Sequence, residues 1–343
     1  MPRAPAAVVT LLLGLVCAAA PAQSKQGKKG KKGKTAPPEV QREAFGTSYY
    51  LLEVPPGDPK KPRGLIVMLH GSGGRPEVCV PCYHDAVAKG FLVCLPASID
   101  PAQYDDADEK QVLAMVDDVL QKHVIDRDRI LLSGHSAGAA ISFFLVSRRP
   151  DLFTACAAGA AGLRFPAERM RGSAHVPFFL ATGAKDFNHG ECTKSAPLLE
   201  AVGIRVVLRD EPAWDHGLAP EAWTAMFEWF DGLVPAEQGK ALRAARAACD
   251  AGTWSKAAPT LAKLRDAKGT TEHVRTRVDI MLATIAAAAD TELAAIFELV
   301  DAKKYEEALA RLTKAKGAFA GTTAAARIDE EIAACRAQIA PAK

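Results

Sequence analysis

The feature that most constrains this chain is a strand-like run that passes directly into a Gly-x-Ser-x-Gly turn and then into a helix-forming run. The apolar residues 130–132 precede the pentapeptide Gly-His-Ser-Ala-Gly at 134–138, and residues 137–146 favour a helix. A side chain at either glycine would crowd a neighbouring strand or helix, and the sharp turn strains the serine backbone. The hydroxyl of Ser136 would then point out of the sheet beside free helix amides, which predicts a nucleophile.

Strand-like and helical segments alternate from residue 45 to residue 235. Apolar strands are expected at 48–54, 65–69, 91–95, 130–133, 153–158, 176–182 and 204–208. Helices are expected at 80–89, 109–123, 137–146, 195–202 and 220–233. This alternation predicts an α/β domain over residues 39–235, with a mostly parallel sheet and helices on both faces.

Residues 236–343 contain no strand-like run and are rich in Ala, Leu, Lys and Glu with helical periodicity, which predicts a small all-α domain. Residues 252–264 align with residues 303–315, so that Trp254 matches Tyr305. The pattern resembles the first helix of a tetratricopeptide-like repeat and suggests two helical hairpins, with a plain helical bundle as the alternative. The two aromatic residues are interpreted as packing residues.

The beginning of the chain is expected to lie outside the folded part. Residues 1–22 read as a secretory signal peptide with Ala20-Pro21-Ala22 as the cleavage pattern, and residues 23–38 as a Lys- and Gly-rich linker. We therefore expect a secreted or periplasmic protein, with a retained anchor as the alternative. The first 38 residues hold seven basic residues and no acid, so 36 basic and 40 acidic residues remain. That net charge of −4 predicts no nucleic-acid surface.

A serine nucleophile needs a base, and the base needs an acidic residue that orients it. In the expected chain order the acid and then the histidine follow the serine, each in a loop after a late strand. Asp186 and His216 each follow an apolar strand in this order. We therefore interpret Ser136, Asp186 and His216 as catalytic. Weaker alternatives are His189 for the base, and Glu191 or Asp215 for the acid.

Two preorganised amides must face the negative charge that develops during such a reaction. The amide of Ala137, directly after the serine, is one candidate. The glycine-rich segment after the strand 65–69 supplies the other, because its backbone can approach a substrate closely. We assign the Ser72 amide to this oxyanion hole, and Gly71 and Gly73 to the loop that shapes it.

Seven cysteines lie beyond the expected signal peptide, an odd number that leaves at least one thiol free or paired between chains. Cys94 and Cys156 lie in apolar runs and are interpreted as core residues. The Cys79-x-x-Cys82 pair favours a local disulfide or plain thiols, and no second pair completes a zinc site. Disulfide pairing stays open for Cys79, Cys82, Cys192, Cys249 and Cys335.

Several motifs together resemble the α/β-hydrolase superfamily: Val67-Met68-Leu69-His70-Gly71, Gly134-His135-Ser136-Ala137-Gly138, Gly183-Ala184-Lys185-Asp186 and Asp215-His216-Gly217. The segments 126–130 and 149–153 are similar to secreted esterases of the polyhydroxybutyrate-depolymerase and feruloyl-esterase-like group. The resemblance covers residues 45–234. It implies a carboxylic-ester substrate and no metal or other cofactor.

The leading hypothesis is a secreted serine esterase that works through an acyl-enzyme. The connection between residues 159 and 176 is too short for a large helical lid, which favours a soluble, bulky or polymer-attached ester over long free acyl chains. The expected partner is a small or polymer-attached ester substrate. One alternative is a serine peptidase of the prolyl-oligopeptidase-like type. Another is a non-catalytic scaffold that uses its helical domain. Protein or envelope contacts are hypothesised for the helical domain and for the Lys-rich linker.

Overall fold

An eight-stranded sheet organises the part of the chain that the computed structural model describes, residues 39–339. The expected signal peptide and linker lie outside these residues. The strands are β1 (Glu39–Phe45), β2 (Ser48–Val54), β3 (Arg63–Leu69), β4 (Leu92–Pro96), β5 (Ile125–His135), β6 (Ala155–Gly159), β7 (Phe178–Lys185) and β8 (Val206–Asp215). The helices around the sheet are α1 (His84–Ala88), α2 (Asp106–Lys122), α3 (Ala137–Arg148), α4 (His189–Glu200) and α5 (Pro220–Leu233). Two 3-10 helices, Pro76–Tyr83 and Ala167–Ser173, complete this part.

The strand order is β1-β2-β4-β3-β5-β6-β7-β8, with β1, β2 and β4 paired antiparallel and all later neighbours paired parallel. The predicted α/β class with a mostly parallel sheet is therefore confirmed. Strand β5 lies near the middle, and Gly134 at its end pairs with Leu69 of β3 and Ala158 of β6. The turn after β5 is thus flanked by the carboxyl ends of two other strands, where ligands bind in such sheets.

Both faces of the sheet are covered by apolar side chains. On one face the buried residues come from α2, α3 and α4, with Phe143 stacked on Phe178 at a ring-centroid distance of 5.3 Å. On the other face α5 and the first 3-10 helix bury Trp223, Phe227 and Tyr83. Coverage on both sides explains why most strands read as continuous apolar runs rather than as alternating ones.

The structure differs from the sequence prediction at several elements of the sheet region. Strand β8 extends to Asp215 rather than ending at 208, and helix α4 begins at His189 rather than at 195. Strand β1 was not predicted, because its residues are largely polar and it pairs only on one side, as an edge strand. Strand β5 begins at Ile125 rather than at 130. The helix expected over 80–89 is replaced by the 3-10 helix Pro76–Tyr83 and the short α1, and Pro81 cannot donate a backbone hydrogen bond there.

After the sheet region, five helices pack in sequence and build a core of their own. They are α6 (Ala236–Asp250), α7 (Trp254–Asp266), α8 (Glu272–Asp301), α9 (Tyr305–Ala318) and α10 (Ala324–Ile339). The two aligned segments occupy equivalent places, because Trp254 and Tyr305 begin α7 and α9 and the matching Ala257 and Ala308 are fully buried. The tetratricopeptide-like character of these two segments stays a prediction. Helix α8 is long and apolar enough to cross a membrane by length and composition alone, and its apolar residues form the centre of this core.

Buried ion pairs join the helices to the amino-terminal half of β5. Asp128 is 1% exposed and accepts hydrogen bonds from Arg246 Nη2 at 2.7 Å and from Arg277 Nε at 2.8 Å. Beside it, Arg243 Nη1 donates to Asp126 Oδ2 at 3.0 Å. Removal of one partner from a buried ion pair leaves an uncompensated charge, which makes this contact sensitive to mutation.

We predict that Asp128→Ala lowers the free energy of unfolding by about 3–5 kcal/mol, because two guanidinium groups lose their buried counter-charge. The matched control is Asp151→Ala, since the Asp151 side chain is 68% exposed and pairs with Arg149 at the surface. That change should cost less than about 1 kcal/mol. Urea unfolding of both variants measures the difference. Equal losses would contradict the role of Asp128 as the buried counter-charge of the two arginines.

A second prediction concerns Glu53 of β2, which is fully buried with neither carboxylate oxygen hydrogen-bonded to any described residue. Burial raises its pKa from 4.5 to about 7. The folded state therefore keeps this proton while the unfolded state releases it, so stability falls as the pH rises from about 4.5 to about 7. Glu53→Gln should remove that loss and raise the melting temperature at pH 8, whereas the exposed Glu39→Gln should not. Identical melting profiles for wild type and Glu53→Gln would refute the prediction.

Candidate active site

The serine turn has the strained geometry that its sequence suggested. Ser136 has φ 52° and ψ −114°, a region that residues with side chains rarely adopt. A Cβ atom added at Gly134 would lie 2.2 Å from the carbonyl oxygen of Gly138, and one added at Gly138 would lie 2.4 Å from that of Leu69. Glycine is therefore required at both positions, because β3, β5 and α3 meet there without space for a side chain.

Two later strands bring the acid and the base to the serine. Asp186 directly follows β7 and His216 directly follows β8, and the last residues of these strands, Lys185 and Asp215, pair with each other after a register shift. Because both strands run parallel to β5, their carboxyl ends lie at the same edge of the sheet as Ser136.

The three side chains form a continuous hydrogen-bonded chain. His216 Nδ1 lies 2.8 Å from Asp186 Oδ1, and His216 Nε2 lies 2.9 Å from Ser136 Oγ. The Asp186 carboxylate is almost fully buried and also accepts the backbone N–H of Asn188 at 2.8 Å. With Nδ1–H donated to this carboxylate, Nε2 is left to accept the serine proton. The structure thus brings the three predicted residues together in the geometry of a catalytic triad.

The alternative acids and bases are engaged elsewhere. His189 Nε2 lies 2.8 Å from Asp210 Oδ2, at a separate surface position. Glu191 accepts hydrogen bonds from the Gly162 amide and from Arg164. Asp215 accepts the amide of Gly217. None of these three candidates has a hydrogen bond to Ser136 or His216 among the described residues.

The two residues predicted to supply the oxyanion amides line one cleft next to the serine turn. Ser72 and Ala137 both line a cavity of ≈ 430 Å³. Their amides have no hydrogen-bond partner within residues 39–339, whereas the amide of Gly73 donates to the carbonyl oxygen of Pro101 at 2.6 Å. Gly73 adopts φ 74°, and a Cβ at Gly71 would lie 2.9 Å from His135 Nδ1. Both glycines therefore shape the loop, and the free amides of Ser72 and Ala137 remain to bind an oxygen anion.

His135, the variable residue of the serine turn, supports the loop that carries the base. Its Nε2–H donates to the backbone carbonyl oxygen of His216 at 2.6 Å, and its ring packs edge-on against Trp223. Burial lowers the pKa of His135, which favours the neutral ring. No local sequence pattern predicts this role, because the contact joins residues that lie far apart in the chain.

Phe187 is a second residue that sequence reasoning missed. Its ring is stacked on the His216 imidazole at a centroid distance of 3.9 Å, although the residue is 78% exposed. A large exposed aromatic side chain directly after the acid was the only available signal. Because the ring is stacked on the imidazole and is itself largely exposed, it covers one face of His216.

Two cavities are lined by residues adjacent in sequence to Ser136 and His216. The first, of ≈ 470 Å³, is lined by His135, Gly71, Gly217 and apolar residues that include Leu218 and Trp223. The second is the cleft at Ser72 and Ala137, whose other side carries Gln103, Asp105, Asp106 and Arg164. The connection from β6 to β7 adds only the 3-10 helix Ala167–Ser173. Across residues 39–339, no group of three or more His, Cys, Asp or Glu could hold a metal ion.

The profile of the Prolyl oligopeptidase family matches residues 101–165, which include the serine turn but neither Asp186 nor His216. Strand order and serine turn are those of the α/β-hydrolase fold, and the family match lies on the segment that carries the serine turn.

Solved structures of similar fold include several hydrolases, whereas no curated protein matches the chain. A thermostable esterase is 17% identical with a TM-score of 0.49 over 57% of this chain, which spans only 62% of that protein. A ferulic acid esterase is 15% identical with a TM-score of 0.48, over 55% of this chain and 95% of that one. An acylaminoacyl peptidase of Pyrococcus horikoshii is 13% identical with a TM-score of 0.45, over 57% of this chain and 41% of that one.

We predict that Phe187→Ala slows the labelling of Ser136 by a fluorophosphonate by a factor of roughly 3 to 10, because one aromatic contact contributes a free energy of about that size. The stacked ring restricts the imidazole, and its loss lets His216 leave the position that activates the serine. Phe187→Tyr should keep the wild-type rate, and Phe297→Ala, in the distant helix α8, serves as the control. An unchanged rate for Phe187→Ala would exclude this positioning role.

Proposed function

We propose that this protein is an exported serine hydrolase that cleaves carboxylic esters. The observation that carries the proposal is the hydrogen-bonded chain Ser136–His216–Asp186 beside two unpartnered amides. Export rests on the signal-peptide pattern of residues 1–22. The choice of an ester rests on the sequence resemblance and on the short connection over the site, which suits a small or polymer-attached substrate.

The first half of the proposed reaction forms an acyl-enzyme. Ser136 Oγ attacks the ester carbonyl carbon while His216 Nε2 takes the hydroxyl proton, and the Asp186 carboxylate stabilises the imidazolium that results. The carbonyl oxygen becomes an anion between the amides of Ser72 and Ala137, and one such donor is worth about 3 kcal/mol. The carbon–oxygen bond of the alcohol then breaks, and His216 gives its proton to the departing alkoxide.

The second half releases the acid. Water enters where the alcohol left and attacks the acyl carbon, while His216 Nε2 takes a proton from it. The same amides hold the second oxygen anion, and the acyl–Ser136 bond breaks as the proton returns to Oγ. Each step uses side chains and amides of this chain together with water.

The test is Ser136→Ala, which should abolish fluorophosphonate labelling and lower the hydrolysis of p-nitrophenyl acetate by a factor of about 10⁴ to 10⁶. Asp186→Asn should lower it by about 10⁴, because the histidine then loses its oriented tautomer. The control is Ser147→Ala, because Ser147 lies on helix α3, which begins directly after the turn. Turnover of the ester that survives Ser136→Ala would refute the assignment.

A serine peptidase is the second candidate, because the family profile that matches residues 101–165 is that of prolyl oligopeptidases. The same side chains would attack an amide bond. Hydrolysis of an aminoacyl-naphthylamide with a higher kcat/KM than that of p-nitrophenyl acetate would favour this reading. A folded protein that neither labels nor turns over would favour a scaffold whose helical domain binds a partner.

A further inference from the structure

Cys79 and Cys82 lie together in the wall of the cavity next to the serine. Both line the ≈ 470 Å³ cavity that also contacts His135 and Gly217. Cys79 is 3% exposed and Cys82 is half-buried, so the second thiol is the more accessible from the cavity. The remaining cysteines of the described chain are all buried outside this cavity: Cys94, Cys156, Cys192, Cys249 and Cys335.

The local backbone holds the two thiols on one face. They are three residues apart within the 3-10 helix Pro76–Tyr83, and residues at that spacing eclipse each other in a 3-10 helix. With a rise of about 2 Å per residue, their Cα atoms are separated by about 6 Å. This separation falls within the range that a disulfide spans without movement of the backbone.

We propose that Cys79 and Cys82 form a reversible redox site whose disulfide fixes the wall of the substrate cavity. The oxidant is a small-molecule disulfide or the disulfide of a thiol oxidoreductase. In the oxidised state the two sulfur atoms are bonded to each other, and the segment 78–82 is cross-linked along the cavity. In the reduced state that segment is free to adjust to a substrate.

The chemistry begins at the accessible thiol. The Cys82 thiolate attacks one sulfur of the oxidant, so that a mixed disulfide forms and one thiol leaves. The Cys79 thiolate then attacks Cys82 Sγ, which forms the protein disulfide and releases the second thiol. The protein dithiol loses two electrons and two protons, and the oxidant becomes two thiols. Hydrogen bonding to Cys82, together with burial, raises the pKa of Cys79, so Cys82 rather than Cys79 is the point of entry.

The effect on hydrolysis rests on the proposed function and should depend on the size of the ester. We expect the short acyl group of an acetate ester to stay near Ser136, and the longer octanoyl chain to enter the cavity that Cys79 and Cys82 line. We expect KM for p-nitrophenyl octanoate to differ at least threefold between the oxidised and reduced protein. The KM for p-nitrophenyl acetate should stay the same in both states.

The full chain is incubated with oxidised glutathione or with dithiothreitol, then denatured, alkylated and mapped by mass spectrometry. Joint loss of alkylation at Cys79 and Cys82, restored by dithiothreitol, supports the proposal. In Cys79→Ser a stable glutathione adduct at Cys82 is expected, and Cys335→Ser should behave as wild type. The proposal would be overturned if both thiols of the wild type were still alkylated after incubation with oxidised glutathione. A stable glutathione adduct on the wild type would overturn it as well.

The kinetic measurement uses the same preparations. If the disulfide forms but the KM for p-nitrophenyl octanoate does not change, the proposed effect of the disulfide on the cavity is wrong. If the protein forms the disulfide but hydrolyses neither ester, the proposed function is contradicted while the redox site is still supported. The two ideas can therefore fail separately, because the mapping of alkylated thiols does not depend on turnover.

Discussion

The backbone strain at Ser136 is the constraint on which the site depends. A non-glycine residue at φ 52° costs on the order of 1–3 kcal/mol, so the surroundings must hold it there. The Ser136 amide donates to the carbonyl oxygen of Gly159 at 2.8 Å, and Gly138 lies against the carbonyl of Leu69. The turn is thus held by β6 on one side and β3 on the other. Only a central strand has such neighbours, which explains the place of β5 in the sheet.

The same strand carries the main polar contact with the helical region, at its opposite end. Asp126 and Asp128 lie near the start of β5 and bind arginines of α6 and α8, while Ser136 follows its last residue. Buried ion pairs add little net stability compared with apolar packing, but they fix position, since a displaced charge would be left unpaired. The helices are therefore placed relative to the strand that leads to the nucleophile. Most of their buried apolar side chains pack against one another in a core of their own.

Local chemistry made much of the site predictable. Glycine at 134 and 138, the order of Asp186 and His216, and the apolar strands before them are all features of short segments. What could not be predicted depends on contacts between distant segments. The polar residues 126–129 suggest a loop, yet Asp128 is buried because Arg277 meets it from 149 residues away. His135 likewise acts through the backbone of His216, which no local pattern reveals.

The lining of the site divides into a rigid part and an adjustable part. Ser136, Asp186 and His216 follow strands of one sheet, and their hydrogen bonds leave little freedom. The wall formed by the helix Pro76–Tyr83 is different, because a 3-10 helix has poorer hydrogen-bond geometry than an α-helix and Pro81 interrupts its donors. Under the proposed function, the strand ends carry the chemistry and this wall contributes to substrate selection. A covalent bond between two of its side chains would then change which ester the proposed enzyme accepts, while Ser136, Asp186 and His216 stay in place.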